Sequence, residues 1–131
     1  MRTFKLVALT NAVEGKDHEF NEWYDTRHLR DVLDIPGFIS AQRFEMVGQV
    51  VTPERLYRYC ALYEIVTDDP DGVLGELRAR AGGPLMQMSD ALAQEIHTVL
   101  YEARSPVVHN PSQSPPPRGA ASVSPPMRAM I

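Results

Sequence analysis

Apolar and polar positions alternate with two different periods along the first hundred residues. The run Phe4 to Thr10 (FKLVALT) is apolar and β-prone and predicts a first strand, buried on both faces. Polar residues and Gly15 then form a loop. Asp17 offers a capping side chain, and Glu19 suits the first turn of a helix running from His18 to about Leu33. Phe20, Trp23, Tyr24 and Arg27 fall on one side of that helix, but the apolar face shifts at Leu29, Val32 and Leu33. The shift predicts a bend or a change of packing partner near His28. Ile35-Pro36-Gly37 ends the helix, because proline cannot continue it and glycine permits the turn into a strand.

Phe38 to Val47 predicts a second strand, with Phe38, Ser40, Gln42, Phe44 and Met46 on one face and Ile39, Ala41, Arg43, Glu45 and Val47 on the other. Leu56 to Thr67 alternates most clearly: Tyr57, Tyr59, Ala61, Tyr63 and Ile65 share a face. These two strands, joined by a loop with Gly48 and Pro53, make an antiparallel pair. Asp68-Asp69-Pro70 starts a second long helix that ends near Ala81, before Gly82-Gly83-Pro84. Met86 to Ala93 suggests a short helix and Ile96 to Arg104 a last strand.

Composition changes the picture at the C-terminal end. Seven of the eleven prolines lie after Arg104, among Ser, Gly and Ala, and no apolar period survives there. The expected organisation is therefore a folded domain over 1–104 and a disordered Pro/Ser-rich tail over 105–131. Lys and Arg number 13 against 17 Asp and Glu, a net charge of −4, so nucleic acid is not the expected partner. Nothing reads as a signal peptide or approaches the roughly 18 apolar residues of a membrane helix. With one cysteine, Cys60, no internal disulfide can form, and a reducing, cytoplasmic setting is expected, with Cys60 as a small buried hydrophobe.

The order strand, helix, strand, strand, helix, strand predicts an α+β, ferredoxin-like split βαβ fold: a four-stranded antiparallel sheet with both helices on one face. The other face would be a large apolar patch, which packing two sheets face to face in a homodimer would remove. The run Asn21-Glu22-Trp23-Tyr24-Asp25-Thr26-Arg27-His28-Leu29, then Ile35-Pro36-Gly37-Phe38 and Ala41-Gln42-Arg43-Phe44, resembles the EthD-like group of the dimeric α+β barrel superfamily. The specific resemblance covers residues 20 to 44, and the fold-level one about 1 to 105. It implies a dimeric α+β barrel and a pocket bordered by the histidine of the aromatic-x-x-x-His pattern, His28. The superfamily includes cyclases, dehydratases, decarboxylases, cofactor-independent monooxygenases, haem-degrading proteins and members without known activity, so the resemblance does not choose a reaction.

His28 is the main candidate for proton transfer near neutral pH, and Tyr24 is its i−4 neighbour. A structural histidine bonding a carbonyl is the alternative. Asp25 and Asp31, each three residues from His28, either orient the ring or pair with Arg27 and Arg30. Asn11, at the end of the first strand, either donates to a substrate oxyanion or serves the turn. Trp23 is expected to line the pocket or pack helix to sheet, and Arg43 to bind a carboxylate or phenolate or to pair with Glu45 or Glu64. Tyr57, Tyr59 and Tyr63 would line the cavity or, by slight preference, the dimer interface. His97 either reaches the pocket from the last strand or is a core histidine. His18 and Glu22 have helical spacing, but with no HExxH or CxxC signature no metal is expected; no phosphate loop or nucleophile elbow is present, and no cofactor is expected. The expectation is a small cofactor-independent enzyme using His28 as acid and base on an aromatic or polyketide-like carbonyl compound, of lyase, dehydratase, cyclase or decarboxylase type. Tyr24 and Asn11 would assist, and Trp23, Arg43, Tyr63 and His97 would bind substrate. The alternatives are a cofactor-independent monooxygenase relying on Trp23 and Asn11, or a non-catalytic dimeric ligand-binding protein.

Overall fold

Strand β1 (Arg2–Thr10) buries every second side chain, Phe4, Leu6, Ala8 and Thr10, while Val7 and Leu9 on its other face stay half-buried. The expected burial on both faces is thus realised on only one of them. The computed structural model describes residues 1–113 and Pro115. The expected disordered tail lies largely outside the described residues; 105–113 are exposed and carry no helix or strand.

The remaining elements are α1 (Asp17–Trp23), a π-helical turn (Tyr24–His28), α2 (Leu29–Leu33), β2 (Phe38–Glu45), β3 (Tyr59–Thr67), α3 (Pro70–Arg80) and β4 (His97–Glu102). The sheet order is β2-β3-β1-β4, with all three pairings antiparallel. The fold is α+β and ferredoxin-like, as the order of elements predicts. Phe4, Leu6 and Ala8 of β1 lie opposite Ile65, Tyr63 and Ala61 of β3, and all six are buried under the helices. Phe20, Tyr24, Val32 and Ile35 close the core from above.

Four local expectations are corrected. Asp17 does not cap the first helix: it is the first helical residue, and Lys16 precedes it without a side-chain cap. Met86 to Ala93 forms no helix, because its backbone bonds go elsewhere. The N–H of Val13 donates to the carbonyl of Ala91, and that of Ala93 to Asn11. Met86 and Ala91 are fully buried in this non-helical segment.

In β2 a bulge between Phe38 and Ser40 shifts the register. Phe38, Ala41, Arg43 and Glu45 therefore lie opposite Ile65, Tyr63, Ala61 and Tyr59 on the helix side, and Gln42 and Phe44 face the other way. Strict alternation had separated Phe38 from Arg43, and the extra residue reunites them. Finally, Tyr59 and Tyr63 are buried against the helices, so they do not belong to the exposed sheet face, and Tyr57 precedes β3.

Asp69 caps α3 by accepting from the Gly72 N–H at 3.0 Å, with Pro70 in the first turn. Gly37 turns the chain into β2 at φ +103°, and a Cβ there would come within 2.9 Å of Val73 Cγ2. No helix among the described residues is long and apolar enough to cross a membrane.

Candidate functional site

The helical segment 17–33 is regular except at Tyr24–His28, where the Leu29 N–H donates to the Tyr24 carbonyl, five residues back. At about 100° per residue, an α-helix would set Trp23 and His28 about 140° apart. The wider π-turn brings them together: their rings stack with centroids 4.6 Å apart and planes at 24°. His28 also meets Tyr24 edge-on at 4.9 Å. The change of face near His28 is thus an inserted residue rather than a bend. The hydroxyl of Thr26 donates to the Glu22 carbonyl at 2.6 Å within this turn.

Tyr24 is the centre of the cluster. Its hydroxyl accepts from Tyr63 Oη at 3.3 Å, and the Arg43 guanidinium lies 4.4 Å from its ring centroid. Arg43 sits within 5.4 Å of the Phe20 and Tyr59 rings as well, so three aromatic faces surround one cation. Its Nη1 donates to Asp25 Oδ1 and its Nη2 to Asn21 Oδ1, each at 2.8 Å. Tyr59 Oη donates to Asp17 Oδ2 at 2.6 Å and accepts from Asn21 Nδ2 at 3.3 Å. Arg58 links Asp17 to Glu45 at the rim. A cavity of about 410 Å³ opens beside this network, lined by Asn21, Asp25, Arg43, Phe44, Glu45 and Tyr59.

Burial sets the electrostatics. It pushes His28 down to about 4, with Arg43 acting the same way and Asp31 opposing, so the imidazole is neutral at pH 7. Burial raises the Tyr24 and Tyr63 phenols, which stay protonated. Two buried side-chain atoms among the described residues have no hydrogen-bond partner, His28 Nδ1 and Arg43 Nε. Both side chains pack on Tyr24.

The structure brings together His28, Tyr24, Trp23, Tyr63 and Arg43. It does not bring in Asn11 or His97. Asn11 Nδ2 donates to the Leu56 carbonyl at 2.9 Å and its Oδ1 accepts from the Arg58 N–H at 2.8 Å, so both ends of the amide pin the β2–β3 loop. His97 lies opposite Leu9, on the sheet face away from the helices, exposed and 6.3 Å from the Tyr57 ring. Trp23 is also spoken for at its Nε1, which donates to the Gln87 carbonyl at 3.0 Å. Asn21 and Asp17 were not singled out from sequence for this cluster. The signal for Asn21 was its i, i+4 spacing to Asp25, which sets both on the helix face that meets Arg43. His18 and Glu22 pair at 3.7 Å, and no cluster of three metal-ligating side chains occurs among the described residues.

No family model matches the sequence, and no curated protein matches it either. Solved structures do share its fold. A protein from Shewanella loihica PV-4, provisionally assigned as a monooxygenase, superposes with a TM-score of 0.53 at 15% identity, covering 84% of this chain and 99% of that one. The haem-degrader MhuD of Mycobacterium tuberculosis, solved with two haems in its active site, gives 0.53 at 16% identity over 80% of this chain and 99% of its own. An EthD family protein from Bacillus halodurans C-125 gives 0.44 at 21% identity over 79% and 99%. The first two place the chain in the ferredoxin-like α+β fold; the likeness of residues 20–44 to the EthD-like group is one of sequence pattern.

Proposed function

We propose that this protein is a small acid–base enzyme for an aromatic or polyketide-like carbonyl compound, with its site centred on Tyr24. The observation that carries the reading is the pair of orphaned atoms. Leaving a buried polar atom without a partner costs about 1–3 kcal/mol, and a bound ligand would relieve that cost. His28 Nδ1 and Arg43 Nε belong to side chains that pack on the same Tyr24 ring.

In this reading the ligand enters from the cavity beside Arg43, whose guanidinium holds a carbonyl or phenol oxygen as negative charge develops there. His28 is neutral at pH 7, the form that accepts a proton, and negative charge developing beside it would raise its basicity from the low resting value that burial sets. Tyr24 and Tyr63, kept as phenols, supply hydroxyls within the same cluster. The reaction classes that need only these parts are elimination, cyclisation, decarboxylation and isomerisation. Monooxygenation is less well supported, because Asn11 is held by the loop backbone. The half-buried face formed by Val7, Leu9, Cys60, Leu62 and Val99 is covered, in our reading, by a second copy of the chain.

A thermal-shift screen of aromatic ketones, phenols and aromatic acids tests the reading, followed by turnover and oxygen-uptake assays on every compound that binds. The expected result is a stabilising compound whose turnover, without oxygen uptake, disappears in His28→Gln while binding persists. Binding without turnover leaves a ligand-binding protein. Turnover unchanged in His28→Gln removes the proposed base, and no binder at all closes the site.

A further inference from the structure

Helix α3 packs on the core through only a few side chains. Only Val73 of its eleven residues is buried, while Leu74 and Leu77 are half-covered. Beneath it lies a second hollow of about 240 Å³, lined by Leu74, Leu77 and Arg78 of α3 and by Leu6, Leu100 and Thr98 of the sheet. Leu6 and Leu100 lie opposite each other across β1 and β4, so four leucines form an apolar chamber with two polar groups among them. None of its lining residues lines the Arg43 cavity.

Arg78 sets the chemistry. Arg80, two residues on, is committed to Glu76 and Asp34. Arg78 is exposed and makes no ion pair among the described residues, and no carboxylate lines the hollow. An apolar chamber with one guanidinium and one hydroxyl is complementary to a molecule with an apolar body and a single anionic head. At about 30 Å³ per water-sized unit, the volume admits about eight such units.

We propose that the hollow beneath α3 is a binding site for a small monocarboxylate of about eight carbons in all. The site is independent of the Tyr24 cluster and of any activity there.

The test is a titration of the full chain, with leucine methyls isotopically labelled, against n-octanoate, octan-1-ol and octylammonium. Octanoate should shift the Leu74, Leu77 and Leu100 methyls and bind more tightly than the alcohol, and the ammonium should bind least. Affinity should rise about fourfold per methylene from hexanoate to octanoate and then level off. Arg78→Gln should weaken octanoate roughly tenfold and leave octanol unchanged. Leu74→Trp should fill the hollow and abolish both, with folding checked by the remaining methyl spectrum. His28→Phe should change none of this, which separates failure here from failure of the Tyr24 site. Equal affinity for the three headgroups, shifts confined to other methyls, or no saturable binding would each overturn the proposal.

Discussion

Replacing His28 by phenylalanine should change how stability depends on pH, by an amount the structure sets. Phenylalanine keeps a ring against Trp23 and Tyr24 but cannot take a proton. In the wild type, burial lowers the imidazole from 6.5 to about 4. Between these values the unfolded chain binds a proton that the folded one refuses, so stability rises with pH across the window. The contribution is fully present above 6.5 and is lost as pH falls through 6.5 towards 4. At 1.36 kcal/mol per unit, the difference from 6.5 to about 4 amounts to about 3 kcal/mol, of which about 2 is already lost at about pH 5. Urea unfolding of both proteins at several pH values from about 4 to 7.5 would read this directly. Exposed carboxylates titrate in both proteins and cancel in the difference, as does any pH-independent packing cost of the larger ring. The wild type should lose about 3 kcal/mol relative to His28→Phe between the upper and lower ends. A constant gap would mean that His28 is solvated in the folded protein and that its place in a dry cluster is wrong.

Four further substitutions have outcomes set by packing. Tyr63→Phe leaves the Tyr24 hydroxyl buried without its 3.3 Å partner and should cost about 1–3 kcal/mol in urea unfolding. Gly37→Ala should destabilise by about 1–3 kcal/mol, since φ is +103° and the new methyl meets Val73 at 2.9 Å. Gly75→Ala, in helix α3 with nothing within 4 Å, should stabilise by about 0.5–1 kcal/mol, so the two glycines should move the melting temperature in opposite directions. Leu62→Glu, on the half-buried sheet face, should convert a dimer into a monomer in sedimentation at micromolar concentration; a monomeric wild type would remove the dimer from the account.

The order of elements was legible from strong local signals: the apolar β-prone run of 4–10, alternation in 56–67, a proline entry at Pro70, and the Ile35-Pro36-Gly37 stop. The break near His28 was legible too, since the apolar face jumps between Tyr24 and Leu29. What sequence could not supply was the bulge in β2. One extra residue inverts a strand's faces, and nothing local distinguishes Phe38-Ile39-Ser40 from an ordinary strand start. For that reason Arg43 could be named from sequence but not placed with Phe38 against the core. Asn11 and His97 failed for another reason. Each is a chemically able side chain whose use is decided by distant partners, the loop backbone at Leu56 and Arg58 for one and the sheet register for the other.

The π-turn lets the helical segment carry one residue that neither the fold nor the cluster requires. A turn of this kind holds one residue more than an α-helix needs, and the excess is absorbed locally, so the flanking segments keep their facings. Removing a single residue such as Thr26 would let the segment close as plain α-helix, with Phe20 and Val32 still directed at the core. Trp23 and the histidine would then be four residues apart, about 40° around a plain α-helix, and their rings, now 4.6 Å apart, would stay on one face. A one-codon deletion would therefore leave the pair adjacent in a protein that still folds, so the extra residue is a change the scaffold absorbs rather than one the cluster depends on.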